Sequence, residues 1–162
     1  MRIYDLLKAT PVANTDQFTV QMFSRTMEPS FPDKTPDQVE ATLVDVFERI
    51  MRGDFLDKQR TEELYQEVLT LAILAPGFDN QVDAHNRIRE IIVKRGSSYG
   101  NTVLNLLGTQ YTSTHALAKI LRLLDCYDNV GLLLKDELLD VAGYCVLNRA
   151  ILECPVKEKT YG

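Results

Sequence analysis

Four polar residues interrupt the most apolar stretch of the chain: Glu137, Asp140, Tyr144 and Asn148, at i, i+3, i+7 and i+11. At about 100° per residue this spacing is one face of a helix. Two acids three residues apart on a helix can share a hard cation, and Mg²⁺ commonly takes one or two carboxylates with waters and substrate phosphates. A second set, His115, Lys119 and Arg122, stands at i, i+4 and i+7 on the segment before it. A lysine and an arginine one turn apart suit a polyphosphate, the arginine through its planar fork and the lysine as a compact charge. Brought face to face, the cations would hold substrate phosphates and the acids Mg²⁺. The plainer alternatives are solvated stripes, or salt bridges between the two helices.

Other candidate chemistry is sparser. Gly96-Ser97-Ser98-Tyr99-Gly100 offers backbone N–H groups to a phosphate but lacks the lysine and hydroxyl of a P-loop, so a helix stop and turn is the simpler expectation. Glu63 and Glu67 are one turn apart and Asp83 and Glu90 share a face, both more readily surface charge than ligands. Two histidines, His85 and His115, with no nucleophile-elbow motif point away from Ser- or Cys-based catalysis, and without paired cysteines a structural zinc site is not expected. Tyr99, Tyr111, Tyr127 and Tyr144 can stack on a base, or simply sit half-buried with a wet hydroxyl.

These residues need elements to position them, and the apolar periodicity is helical nearly throughout. A short helix is expected near Ile3–Lys8, then an irregular stretch with Pro11, Pro29 and Pro32 around an apolar Phe18–Met27 segment. Thr35-Pro36-Asp37-Gln38 reads as N-cap, N1 proline and capping box for a helix running to Arg52 and stopped by Gly53. Thr61 opens the next helix, ended near Ala75 by Pro76-Gly77, and a third covers about Val82–Arg95 and stops at Gly96. A short helix near Asn101–Leu107, a long one at Thr114–Tyr127 and a last one at Leu134–Glu153 complete an all-α bundle, with a fraying tail after Pro155. The last two form an αα-hairpin around Asp128–Leu133, and the last should be central because it is apolar over most of its circumference. The chain reads as a single domain over 1–162, with N-terminal extension and helices over 1–81 and a helical core over 82–153.

Composition sets the outer bounds. The 162 residues are 45% hydrophobic and 25% charged, enough for one core without disulfides or a structural metal. The net charge of −5 disfavours gripping duplex DNA and fits solubility or carboxylate-bound divalent cations. No apolar run is long enough to span a bilayer, and the first residues lack a secretory pattern. Three cysteines without a CxxC suit reduced thiols, so a cytoplasmic location is expected, bacterial or in the host of a phage.

The C-terminal half resembles a known family. Tyr99-Gly100, Lys119-x-x-Arg122 and the run Asp136-Glu137-Leu138-Leu139-Asp140-Val141-Ala142-Gly143-Tyr144 are similar to the small all-α proteins of bacteriophages and bacteria called nucleotide-modification-associated. Those resemble MazG-type nucleoside triphosphate pyrophosphohydrolases. The resemblance covers about residues 82–152. It implies that Glu137 and Asp140 are the ExxD half of a metal site and catalytic, that Lys119 and Arg122 are the basic pair beside it, and that Tyr99 and Gly100 form the preceding loop. MazG-type enzymes add an upstream ExxE pair, whereas here Glu90 is nearer but single and Glu63 and Glu67 are far upstream.

The expected function is thus a Mg²⁺-dependent pyrophosphohydrolase acting on a (deoxy)nucleoside triphosphate, with metal on Glu137, Asp140 and Glu90. Its substrate would lie on Lys119, Arg122, Tyr99, Gly100, His115 and Tyr144, in a homodimer or tetramer. The alternative from the incomplete acidic set is a nucleotide-binding or sequestering protein without chemistry, phage-encoded against a host defence for example. A third is a helical interaction module using an exposed apolar face on Phe18–Met27.

Overall fold

The computed structural model describes residues 19–22, 34–99 and 102–153. Among them the chain is helical and has no strand, so the all-α expectation holds. A 3₁₀ turn at Pro36–Gln38 leads into α1 (Val39–Met51), and a second at Asp54–Leu56 leads into α2 (Lys58–Ala72). Then come α3 (Gln81–Tyr99), α4 (Thr102–Leu107), α5 (Thr109–Val130) and α6 (Lys135–Glu153). No helix of the described residues is long and apolar enough to cross a membrane.

Start and stop signals explain most boundaries. The Gln38 side chain accepts from the Thr35 N–H at 2.9 Å, as the capping box predicts. Gly53 ends α1 in the left-handed region at φ +98°, where a side chain would be strained. The second helix begins three residues before the expected Thr61, because the Asp57 carboxylate caps it by accepting from the Arg60 N–H at 2.9 Å. Thr61 instead lies in the first turns of α2, its hydroxyl donating to the Asp57 carbonyl at 2.8 Å.

The largest departure concerns Gly96, which does not stop the third helix: α3 continues to Tyr99. Glycine lowers helix propensity by only about 1 kcal/mol, and an element packed on its neighbours absorbs that. The Gly96–Gly100 segment, expected as a helix stop and turn, is therefore helical backbone up to Tyr99, while Gly100 lies outside the described residues. Similarly, α5 is longer than expected at both ends, and Gly131 at φ +67° closes it with its N–H on the Tyr127 carbonyl at 2.8 Å.

Burial follows the helical period. In α1 the buried set is Val39, Thr42, Leu43, Val46 and Ile50; in α5 it is Thr112, Ala116, Ile120 and Leu123. The central element is α6, which packs on α5, α2, α3 and α4. Its buried apolar residues, Leu138, Leu139, Val141, Ala142, Cys145, Val146, Ala150 and Ile151, cover most of its circumference, as the sequence predicts. Full burial of one such Leu, Ile or Val contributes about 1.5–3 kcal/mol.

Residues 19–22 are helical, and Met22 joins the core while Val20 is exposed. The rest of the apolar Phe18–Met27 segment, the Ile3–Lys8 helix and the tail after Pro155 lie outside the described residues.

Candidate functional site

The two polar stripes are each a core stripe shifted by one residue. On α5, Tyr111, His115, Lys119 and Arg122 each neighbour a core position or adjoin one: Thr112, Ala116, Ile120 and Leu123. On α6, Glu137, Asp140 and Tyr144 likewise precede Leu138, Val141 and Cys145. A one-residue shift turns a side chain by about 100°, from the centre of the helix interface to its rim. The hairpin makes the helices antiparallel, so the rims meet as a ladder.

At its charged end, Lys119 Nζ lies 3.2 Å from a Glu137 oxygen and 3.2 Å from an Asp140 oxygen. Arg122 approaches Glu137 at 3.7 Å, and Arg95 reaches Asp140 from α3 at 3.5 Å. Lys119, Glu137 and Asp140 are largely sheltered, with side chains 16–20% exposed, whereas those of Arg95 and Arg122 are 55% and 65% exposed. Three cations thus surround two acids. The buried Glu137 Oε2 has a charge partner in Lys119 but accepts no well-aligned hydrogen bond.

The aromatic end is built from Tyr111, His115 and Tyr144. Ring centroids are 4.3 Å apart for Tyr111–His115, 5.5 Å for His115–Tyr144 and 6.0 Å for Tyr111–Tyr144. Burial, reinforced by neighbouring Tyr111 and Asp140, pushes the Tyr144 phenol up to about 12, so it stays protonated at neutral pH. Asn148, the fourth member of the sequence stripe, is instead fully buried. It accepts from the Thr112 hydroxyl at 2.8 Å and donates to the Phe55 carbonyl at 2.8 Å and to Thr61 Oγ1 at 3.1 Å.

The remaining candidates go elsewhere. Glu90 pairs with Arg87 at 3.2 Å on an exposed face. Glu63 pairs with Arg49 at 3.3 Å and Glu67 with Lys34 at 3.3 Å. His85 is a core histidine whose Nδ1 lies 2.6 Å from the Tyr65 hydroxyl, and the Tyr127 hydroxyl donates to the Pro36 carbonyl at 2.8 Å. Tyr99 closes α3. An open depression on α1 and the 3₁₀ turn before it, lined by Asp37, Glu40, Ala41, Val44, Asp45 and Glu48, is acidic and unsuited to an anion.

At the charged end the two acids are held by cations of the chain itself. Among the described residues no three or more His, Cys, Asp or Glu side chains gather to hold one. Between Glu137 and Asp140, where a cation would sit, stands the Lys119 ammonium. The arrangement can present guanidinium groups to an anion beside exposed ring surface. Arg95 is the member that sequence reasoning left unassigned; it lies seven residues after Ile88 and three after Ile92, continuing the period of the buried stripe of α3 to its exposed end, and that period was the available signal.

The chain matches no family model, no curated protein and no solved structure. Its class is defined by the coordinates themselves: a helical bundle whose central hairpin carries a charged and aromatic rim.

Proposed function

We propose that the α5–α6 hairpin, together with Arg95 of α3, binds a nucleotide, taking its phosphates on Arg95, Arg122 and Lys119, and does so without metal-assisted hydrolysis. The observation that carries this reading is the Lys119 ammonium, 3.2 Å from an oxygen of each acid. A Mg²⁺-dependent pyrophosphohydrolase needs both carboxylates for the cation. Here Lys119 stands between them, and with Arg95 and Arg122 the cations outnumber the acids three to two, the excess lying on two exposed arginines. Guanidinium forks at the rim are suited to phosphate oxygens.

The test is calorimetric titration with ATP in EDTA and again in Mg²⁺, alongside an assay for released pyrophosphate. ATP should bind in EDTA, release no pyrophosphate, and bind at least about tenfold more weakly to Lys119→Met, which removes one charge-assisted contact. Binding that requires Mg²⁺ and yields pyrophosphate would overturn this reading in favour of the hydrolase. Absence of binding across a panel of nucleoside mono-, di- and triphosphates would end the nucleotide reading altogether.

A further inference from the structure

We infer that Tyr111, His115 and Tyr144 form a seat for a planar ring, so that a bound nucleotide lies along the hairpin with its base there and its phosphates toward Arg122. The inference rests on the anion-binding reading of the charged end and adds the ligand's direction and the group that makes it selective.

Three observations support it. First, the rings are contiguous with the cations: on α5, Tyr111, His115, Lys119 and Arg122 follow at successive turns, spanning roughly 16 Å at 1.5 Å per residue. Second, the cluster leaves ring surface accessible. His115 is exposed and its ring is tilted 32° from that of Tyr144 and 45° from that of Tyr111, while both tyrosines are only half-buried. Aromatic faces of this kind stack on bases with little regard to sequence. Third, space is kept open beside it. Gly143 is inside α6, three residues after Asp140 and one before Tyr144, and a Cβ there would meet nothing within 4 Å. A glycine in a helix interior forgoes stability that alanine would supply, and here no packing contact demands it.

The experiment compares ATP with inorganic tripolyphosphate in EDTA, by calorimetry and by tyrosine fluorescence. The chain has seven tyrosines and no tryptophan, so tyrosine emission is read directly. ATP should bind about tenfold more tightly than tripolyphosphate and quench the emission, whereas tripolyphosphate should leave it unchanged. His115→Ala, at an exposed position where folding is little disturbed, should weaken ATP about five- to tenfold and leave tripolyphosphate within about twofold. Equal affinities for the two ligands in the native chain, or equal losses in the variant, would overturn the seat while leaving the anion site standing. Failure of tripolyphosphate to bind would remove the charged-end reading, and the seat with it.

Discussion

The two ends of α6 both place polar groups in an apolar core, and they treat them in opposite ways. Toward the C-terminus, Asn148 and Arg149 are buried and their hydrogen-bonding capacity is spent on the fold. Asn148 ties α5, α2 and the Phe55 turn together. Arg149 holds Glu62 at 2.8 Å and Glu153 at 3.0 Å. Burial works against the guanidinium charge, but the hydrogen bonds to Glu62 and Glu153 outweigh it and hold the pKa of Arg149 above its ordinary value. Toward the N-terminus, Glu137 and Asp140 meet more cations than they can neutralise, two of them half-exposed, and one carboxylate oxygen is left without a hydrogen bond. A buried polar group that is fully satisfied specifies structure; a sheltered cluster left imbalanced at the rim is available to something else.

The strongest way to break this contrast is at Glu62. Glu62→Leu leaves the Arg149 guanidinium buried with the half-exposed Glu153 as its remaining charge partner among these three. Removing one member of a buried pair costs about 3 kcal/mol or more. The urea midpoint should fall accordingly, while ATP affinity stays within about twofold. If the variant unfolds no more readily than the native chain, the two ends are alike and the assignment of Arg149 to the fold is wrong.

A milder change at the other end sharpens the contrast. Glu137→Gln and Asp140→Asn each remove a charge that competes with a ligand's phosphates for Lys119 and the arginines. Each should therefore raise ATP affinity several-fold, equivalent to about 1 kcal/mol, with little change in the thermal midpoint. The sign is what matters. If these carboxylates held a catalytic metal, the same substitutions would weaken Mg²⁺-dependent binding or abolish turnover.

Why some of this was legible in sequence and some was not follows from the range of each interaction. The helical period and caps are local, so the bundle, the central position of α6 and the facing of Lys119 and Arg122 on Glu137 and Asp140 could all be read from spacing. The salt-bridge alternative raised for those stripes is what the coordinates show. The fate of Asn148 was not legible, because its partners Phe55 and Thr61 lie 93 and 87 residues away in the chain. Nor was the role of Arg95, whose partner Asp140 is on another helix, or the run of α3 past Gly96, which read as a helix stop. That glycine signal is a local propensity, and the packing of α3 on α6 and α2 overrode it.

Gly143 lies between the two ends, and it offers the finest test of where structure gives way to binding. It is absent from the glycines with positive φ, it is inside α6, and its Cβ position is open to 4 Å. Gly143→Ala should therefore stabilise the chain by between about 0.5 and 1 kcal/mol, through the entropy that glycine loses on folding. Gly143→Leu should fold as well but fill the space beside Asp140 and Tyr144, weakening ATP while sparing tripolyphosphate. Thermal melts and the paired titrations read the two effects separately. A destabilising Gly143→Ala would mean that the helix surface there is closed by packing, and the open side of α6 would then have to begin nearer Asp140.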